Sequence, residues 1–320
     1  MSPNQNKKYP VSYVQISHDQ ADRRIDNFLF TILANIPKTR VYRMLRRGEV
    51  RVNSKRIKQN YRLQEGDNVR IPPFSMISNG EPSPPPQYQL DLVMNAKIYE
   101  DPDLLVINKP PGLLVHSGSG SSYGVIELLK FIRNDGDQLH LAHRLDKHTS
   151  GVLLIAKNHL YLRELQAGFR TGQIKKRYIA LLKGQMTEDV IEVNKPLQRN
   201  LDRDGERLSR ISDKGKVSIS RFKLIRTINQ ASLAEVEIMT GRTHQIRVHA
   251  SSIGHPVAGD DKYGDKIFNK SLKKLGLNRL FLHASTIHLP EMLSKKPQLI
   301  KTDLFRDLDE FLIEYDQVQP

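Results

Sequence analysis

The chain contains no cysteine. That excludes disulfides, thiolate-ligated zinc and a thiolate nucleophile, and it fits the reducing cytoplasm, where the protein is expected to reside. Uninterrupted apolar runs of 18 residues are also missing, so no membrane span or membrane partner is expected. The segment from Met1 to Pro10 is polar and lysine-bearing and lacks the apolar stretch of a secretory signal. No glycine-rich dinucleotide fingerprint or P-loop occurs, which argues against nicotinamide, flavin and nucleotide chemistry. Acidic residues are the scarcer charge, 35 against 50 Lys and Arg, leaving a formal net charge of +15. An excess of that size suggests a polyanionic partner, because each neutralised phosphate releases condensed counterions; the plain alternative is a protein that is merely basic.

The 320 residues exceed what one core usually needs and suit two domains. Between Pro72 and Pro86, six of fifteen residues are proline and most others are polar. Such a stretch buries too little to fold, so an extended linker is expected over 73–91. It separates a module at 11–72 from a larger one at 92–320. The smaller module opens on a strand pattern, Val11–Ile16. Ile25, Phe28, Leu29, Ile32 and Leu33 then share one helical face. Val41, Met44 and Leu45 form a second apolar stripe, ended by Gly48 as a C-cap. Short strands are expected at Val50–Asn53 and Val69–Ile71, around a turn at Glu65-Gly66-Asp67.

Positive charge is densest inside this module. Lys38, Arg40, Arg43, Arg46, Arg47, Arg51, Lys55, Arg56 and Lys58 stand against a single acid, Glu49. Arg40, Arg43 and Arg47 fall on one helix face, away from the apolar stripe. Most charge runs are solvated surface, but those usually alternate in sign, and this one repels itself unless a polyanion arrives. The segment Arg24–Ile71 resembles the alpha-L motif, a ribosomal-protein-S4-like RNA-binding domain. The resemblance implies RNA binding by these basic residues and no chemistry.

The larger module reads as mixed α and β. Strands are expected at Leu104–Asn108, Val152–Ala156, Tyr178–Lys183, Val217–Leu224 and Leu233–Ile238, and helices at Gly124–Asn134, Asn158–Arg170 and His244–Ile253. The strands follow one another without βαβ alternation, which favours an α+β fold on a mixed, mainly antiparallel sheet.

Chemistry points to the string His143-Arg144-Leu145-Asp146-Lys147-His148-Thr149-Ser150-Gly151. An isolated Asp before Thr-Ser-Gly is usually a turn former. Here Arg144, Lys147 and two histidines surround the carboxylate, and positive neighbours favour its ionised, nucleophilic form. The string matches the HRLDxxTSG signature of the RluA family of pseudouridine synthases at every fixed position. Further blocks resemble that family in order: Asn108–Leu113 with Val115-His116, Lys176–Ala180, Thr240–His249, Gly259–Gly264 and Leu280–Ala284. Within it, Tyr42–Asn53, Gly124–Glu127 and Leu277–Phe281 look like a branch acting on 23S ribosomal RNA.

The resemblance implies a pseudouridine synthase fold and isomerisation of uridines in 23S ribosomal RNA, or its large-subunit precursor, without a cofactor. Asp146 corresponds to the covalent nucleophile, Tyr178 to the tyrosine that packs on the uracil, and Arg144 to the arginine that holds out the flipped nucleotide. Attack at C1′, addition at C6 and a glycal route all remain open at this stage. Arg247 falls in the first turn of its helix, with Thr243 placed to cap it and Gly254 to end it. A cation there opposes the helix dipole, so a carboxylate partner is expected, by the family pattern Asp146. Leu145 and Ile246 are expected to exclude water, with His143, Thr149 and Lys109 as further support of the site. A strand tyrosine packed in the core is the commoner fate of a residue like Tyr178, and a solvated or ion-paired side chain is the plain alternative for Arg144 and Arg247.

Eleven histidines raise the question of metal. His244 and His249, like His283 and His288, are five apart, no His-Glu-x-x-His frame occurs, and no metal is expected. A monomer is expected. Three other readings compete: a sister branch modifying other 23S uridines, a non-catalytic ribosome-assembly factor that only binds RNA, and an RNA glycosidase or methyltransferase. The last would need a cofactor loop that is not found.

Overall fold

The computed structural model describes residues 6–33, 36–77, 84–117, 123–201, 207–293 and 298–318. The chain divides into two units, Met1–Pro84 and Pro85–Pro320.

In the first unit, helices Ile25–Ile32 and Lys38–Arg47 pack with a three-stranded antiparallel sheet. Asn68–Ile71 is the central strand, between Ser12–Gln15 and Arg51–Val52. Ile25, Phe28, Leu29, Leu33, Val41, Met44 and Leu45 are buried in one core, as the periodicity requires. Ile32, in the last turn of the first helix, departs from the expectation and is 42% exposed. Gly48 ends the second helix in the left-handed region, at φ +68°, with its N–H donated to Leu45 O. Asp67 is buried and accepts from Asn53 Nδ2, Tyr61 OH and Gln64 N at 2.7–2.9 Å, so the turn expected at 65–67 is also a polar anchor.

The expected linker over 73–91 is only partly extended. Phe74–Ile77 is a strand paired antiparallel with Asn6–Tyr9, and Tyr9 stacks on Phe74 at 4.7 Å. Gln87–Met94 is a helix that buries Leu90 and Val93. Proline density hid both: Pro86 cannot sit inside a helix but is well suited to precede one. Residues 78–83 of that stretch lie outside the described ones.

In the second unit ten strands, among the described residues, form one sheet. Its main path runs Val190–Asn194, Ile219–Ile228, Ala231–Ile238, Lys175–Lys183, Leu282–His288, Ser150–Ala156, Leu104–Lys109, Lys97–Glu100. Neighbours are antiparallel except Leu282–His288 against Ser150–Ala156, which run parallel. The sheet is therefore mixed and mainly antiparallel. Alternate residues of the central strands enter different cores. Leu105, Ile107, Leu153 and Ile155 pack with helix Val125–Ile132, whereas Leu104, Val106, Val152 and Leu154 pack with Leu165 of helix His159–Thr171. Both faces are covered, hence the unbroken apolar run of Val152–Ala156. A third core joins Leu181 and Phe281 to Leu308, Phe311, Leu312 and Tyr315 of the last helix, Arg306–Gln317. Apart from the sheet, Leu197–Leu201 and Arg207–Ile211 form an antiparallel hairpin.

Candidate active site

Asp146 lies on the loop between strands His140–Leu141 and Ser150–Ala156. Three devices shape that loop. Thr149 N donates to Asp146 O at 3.2 Å, closing a tight turn. Lys109, at the end of its strand and wholly buried, donates its ammonium protons to Pro110 O, Leu113 O and Lys147 O at 2.8, 2.9 and 3.2 Å. Gly112 N also reaches Lys147 O, at 2.8 Å. Burial pulls the Lys109 pKa down to about 7, against the opposing pull of Asp146. Gly151 follows at φ +116°, and a Cβ there would sit 2.2 Å from Ala284 O, so the parallel strand approaches only because this residue is glycine.

Arg144, Leu145, Asp146, Thr149, Tyr178, Ile246 and Arg247 line one cavity of about 60 Å³. Arg144 is exposed, while Leu145, Thr149, Ile246 and Tyr178 are buried. The Tyr178 hydroxyl is pushed up and stays protonated, by burial first and then by the charge of Asp146.

Arg247 is 4% exposed and sits on helix Gln245–Ser252. Asp146, the expected partner, stands at the long end of ion-pair distance, and a second carboxylate lies closer. Nε and Nη2 each donate at 2.6 Å to Asp260, while Nη1 stands 4.0 Å from Asp146 Oδ2. A buried guanidinium needs a two-point carboxylate, and Asp260 supplies it, leaving the third edge turned toward Asp146. Burial pushes the Asp260 carboxyl up, but Arg247 and the amides of Tyr263 and Lys262 outweigh it and hold it below the usual range. The expected helix cap differs as well. His244 takes the N-cap position at φ +54° without a side-chain cap bond, and Thr243 lines the cavity. Gln245 closes the preceding turn, accepting from Thr240 Oγ1 and Arg242 N.

The two histidines of the signature add no positive charge. His143 does not line the cavity: its Nε2 accepts from Leu154 N at 2.9 Å, its ring packs on Phe169, and burial pulls its pKa down to about 3. His148 is lowered too, by burial and then by Lys147. Lys109 also stands off the cavity and acts through the loop backbone.

Four residues escaped the sequence reading as members of the site. Asp260 had a signal, since a buried arginine in a first helical turn demands a carboxylate. Lys176 lines the cavity with its ammonium over the Phe169 ring at 5.0 Å, and burial brings its pKa to about 8. His244 and Tyr263 are hydrogen-bonded at 2.9 Å beside Asp146. No group of three or more His, Cys, Asp or Glu that could hold a metal ion occurs among the described residues. No helix among them is long and apolar enough to cross a membrane.

In the first unit, all nine basic residues singled out between 38 and 58 are exposed except Arg40, which is half-buried. Arg46, Arg56 and Lys58, with Arg24, line a groove of about 750 Å³.

Residues 103–252 match the family described as RNA pseudouridylate synthase, and residues 23–69 match the S4 domain. The chain is 48% identical over 280 residues to the Ribosomal large subunit pseudouridine synthase C of Escherichia coli (strain K12), covering 87% of this chain and 88% of that protein. The protein of that name from Vibrio cholerae serotype O1 is 43% identical over 311 residues, covering 96% and 98%. Among solved structures, Human RNA Pseudouridylate Synthase Domain Containing 4 is similar with a TM-score of 0.59 at 28% identity, over 73% of this chain and 97% of that one.

Proposed function

The chain belongs to the RNA pseudouridylate synthases, and from that premise we propose that it converts specific uridines of 23S ribosomal RNA to pseudouridine in the cytoplasm, with Asp146 as covalent nucleophile. The observation that carries this reading is the single cavity lined by Asp146, Tyr178 and Arg247, three residues far apart in sequence. The large-subunit target follows the names of the relatives.

The reaction breaks the N1–C1′ bond, turns the uracil and forms a C5–C1′ bond. The proton on C5 is lost and N1 ends protonated, so nothing is oxidised and no co-substrate is consumed. The target nucleotide must leave its stack to enter the cavity. Arg144 stands exposed at the mouth, where it can contact the RNA beside that nucleotide. The Tyr178 ring offers a stacking face, worth roughly 1–3 kcal/mol per base. Arg247 turns Nη1 toward Asp146, while Asp260 fixes the guanidinium's orientation. Leu145 and Ile246 wall the cavity, and excluding water matters because hydrolysis of a detached sugar would end the isomerisation.

The test is carbodiimide primer-extension mapping of 23S RNA from a strain lacking the gene. Specific stops should vanish, return with the wild-type gene and stay absent with Asp146→Asn. Stops that persist in the deletion strain, or that Asp146→Asn restores, would overturn the reading.

A further inference from the structure

Beside Asp146 runs a chain of polar contacts in which no role has yet been given to its middle members. Ser209 N, on the hairpin strand Arg207–Ile211, donates to the Tyr263 hydroxyl at 2.9 Å. That hydroxyl lies 2.9 Å from His244 Nδ1. On the other side of the ring, His244 Nε2 lies 3.9 Å from Asp146 Oδ2.

One tautomer of His244 gives every proton in this chain an acceptor. The phenol oxygen already accepts from Ser209, and its own proton has one described acceptor, His244 Nδ1. With the phenol proton given to Nδ1, the neutral ring carries its hydrogen on Nε2, facing the carboxylate, and this is the tautomer the proposal uses. Burial, Arg247 and Lys262 outweigh Asp146 and Asp260, so the pKa is lowered and the ring stays neutral. Tyr263 is itself held: the Arg247 guanidinium lies over its ring at 5.1 Å, and its backbone N donates to Asp260.

The backbone of His244 makes the same point independently. Its φ of +54° belongs to the left-handed region, which costs a non-glycine residue about 1 kcal/mol or more. Glycine or asparagine would relieve that strain. The side chain that sits there instead is the one whose ring spans from Tyr263 to Asp146.

We propose that His244 is a positioning residue for Asp146: its Nε2–H, set by the Tyr263 hydroxyl, orients the carboxylate that Arg247 faces from the other guanidinium edge. An approach of about 1 Å converts the 3.9 Å separation into an ordinary hydrogen bond, the kind of tightening that substrate loading produces. Because Ser209 is the first donor in the chain, two hydrogen bonds tie the hairpin backbone to His244, and the 3.9 Å step to the carboxylate completes the path when it closes. The hairpin also borders a cavity of about 330 Å³ lined by Arg199, Lys214, Lys216 and Arg242, which shares Gly241, Arg242 and Thr243 with the cavity at Asp146.

This inference rests on Asp146 being the nucleophile, and its test keeps the two apart. Three variants, His244→Gln, His244→Asn and His244→Ala, are compared by RNA affinity and by single-turnover tritium release from C5-labelled uridine RNA. The Gln amide reaches the place of Nε2, whereas Asn relieves the backbone but falls short of it. The expectation is a Gln variant within about fivefold of wild type, Asn and Ala variants slower by about 100-fold, and RNA affinity unchanged in all three. Tyr263→Phe keeps the ring under Arg247, loses the tautomer lock, and is expected to slow by about tenfold at unchanged affinity. The proposal is overturned if Gln is as slow as Ala, if Asn is as fast as Gln, if Tyr263→Phe reacts at the wild-type rate, or if the losses lie in RNA affinity alone. Asp146→Asn is run alongside: product from that variant sinks the functional reading itself, whatever the His244 series gives.

Discussion

In the first unit Arg43, Arg46, Arg47 and Arg56 stand in solvent, and the ion pair that Arg47 makes, with Glu49, is a loose 3.8 Å. In the second unit Arg247 is sunk beside a cavity and clamped by Asp260 through two bonds of 2.6 Å. The same side chain thus does opposite work in the two places. Exposed guanidinium groups contribute little to folding, keep their reach and suit a partner whose phosphates come and go. A guanidinium taken out of water must be paired before any substrate arrives, and once paired it presents a fixed charge in a fixed direction. Binding and chemistry therefore ask for different surroundings around one residue type, and the two units supply one each.

That contrast can be broken from either side. The largest effect is expected for Asp260→Ala, which strands the Arg247 charge in the interior. Urea unfolding should show a loss of about 3–5 kcal/mol, with product formation lost as well. A smaller effect should come from acid. The imidazole of His143 is neutral in the fold down to about pH 3, whereas the unfolded chain protonates it near pH 6.5. The unfolded state then binds the extra proton, so stability falls as pH drops below 6.5. Between pH 7 and pH 4.5 this one ring should cost about 2–3 kcal/mol, read as a lower urea midpoint. The smallest change in stability is expected for Arg43→Ala and Arg46→Ala, each within about 0.5 kcal/mol of wild type. RNA affinity should nevertheless drop, and the salt dependence of binding should lose about one unit of slope for each charge removed from a phosphate contact. A stability loss as large as that of Asp260→Ala would erase the distinction between the two units.

What could be read in the chain beforehand followed local periodicity and contiguous motifs. The stripes Ile25–Leu33 and Val41–Leu45, the strand Val152–Ala156 and the string 143–151 are all local in sequence, and each became an element or loop near its expected bounds. Partnerships across long separations could not be read in the same way. The approach of Arg247 to Asp146 joins segments 101 positions apart (247 less 146), and even the Asp260 clamp and the Tyr263–His244 contact, 13 and 19 positions apart, depend on a loop whose course no local period dictates. The paired strands Leu197–Leu201 and Arg207–Ile211 were invisible for another reason: they alternate no apolar residues, lying outside the main sheet. The last helix was legible in principle: Leu308, Phe311, Leu312 and Tyr315 recur at helical spacing and enter one core.

The strand Leu282–His288, parallel to Ser150–Ala156 and antiparallel to Lys175–Lys183, fills the gap between them, although residues 184–281 separate it from the nearer of the two. During synthesis, then, the strand that follows Asp146 and the strand that carries Tyr178 each wait with an open edge until Leu282–His288 has emerged. Translation that stopped short of Leu282 would yield a product with an intact amino-terminal unit and no formed cavity, its open edges inviting aggregation or proteolysis. The cavity is in this way the last part of the sheet to close, whatever the order in which its other strands pair.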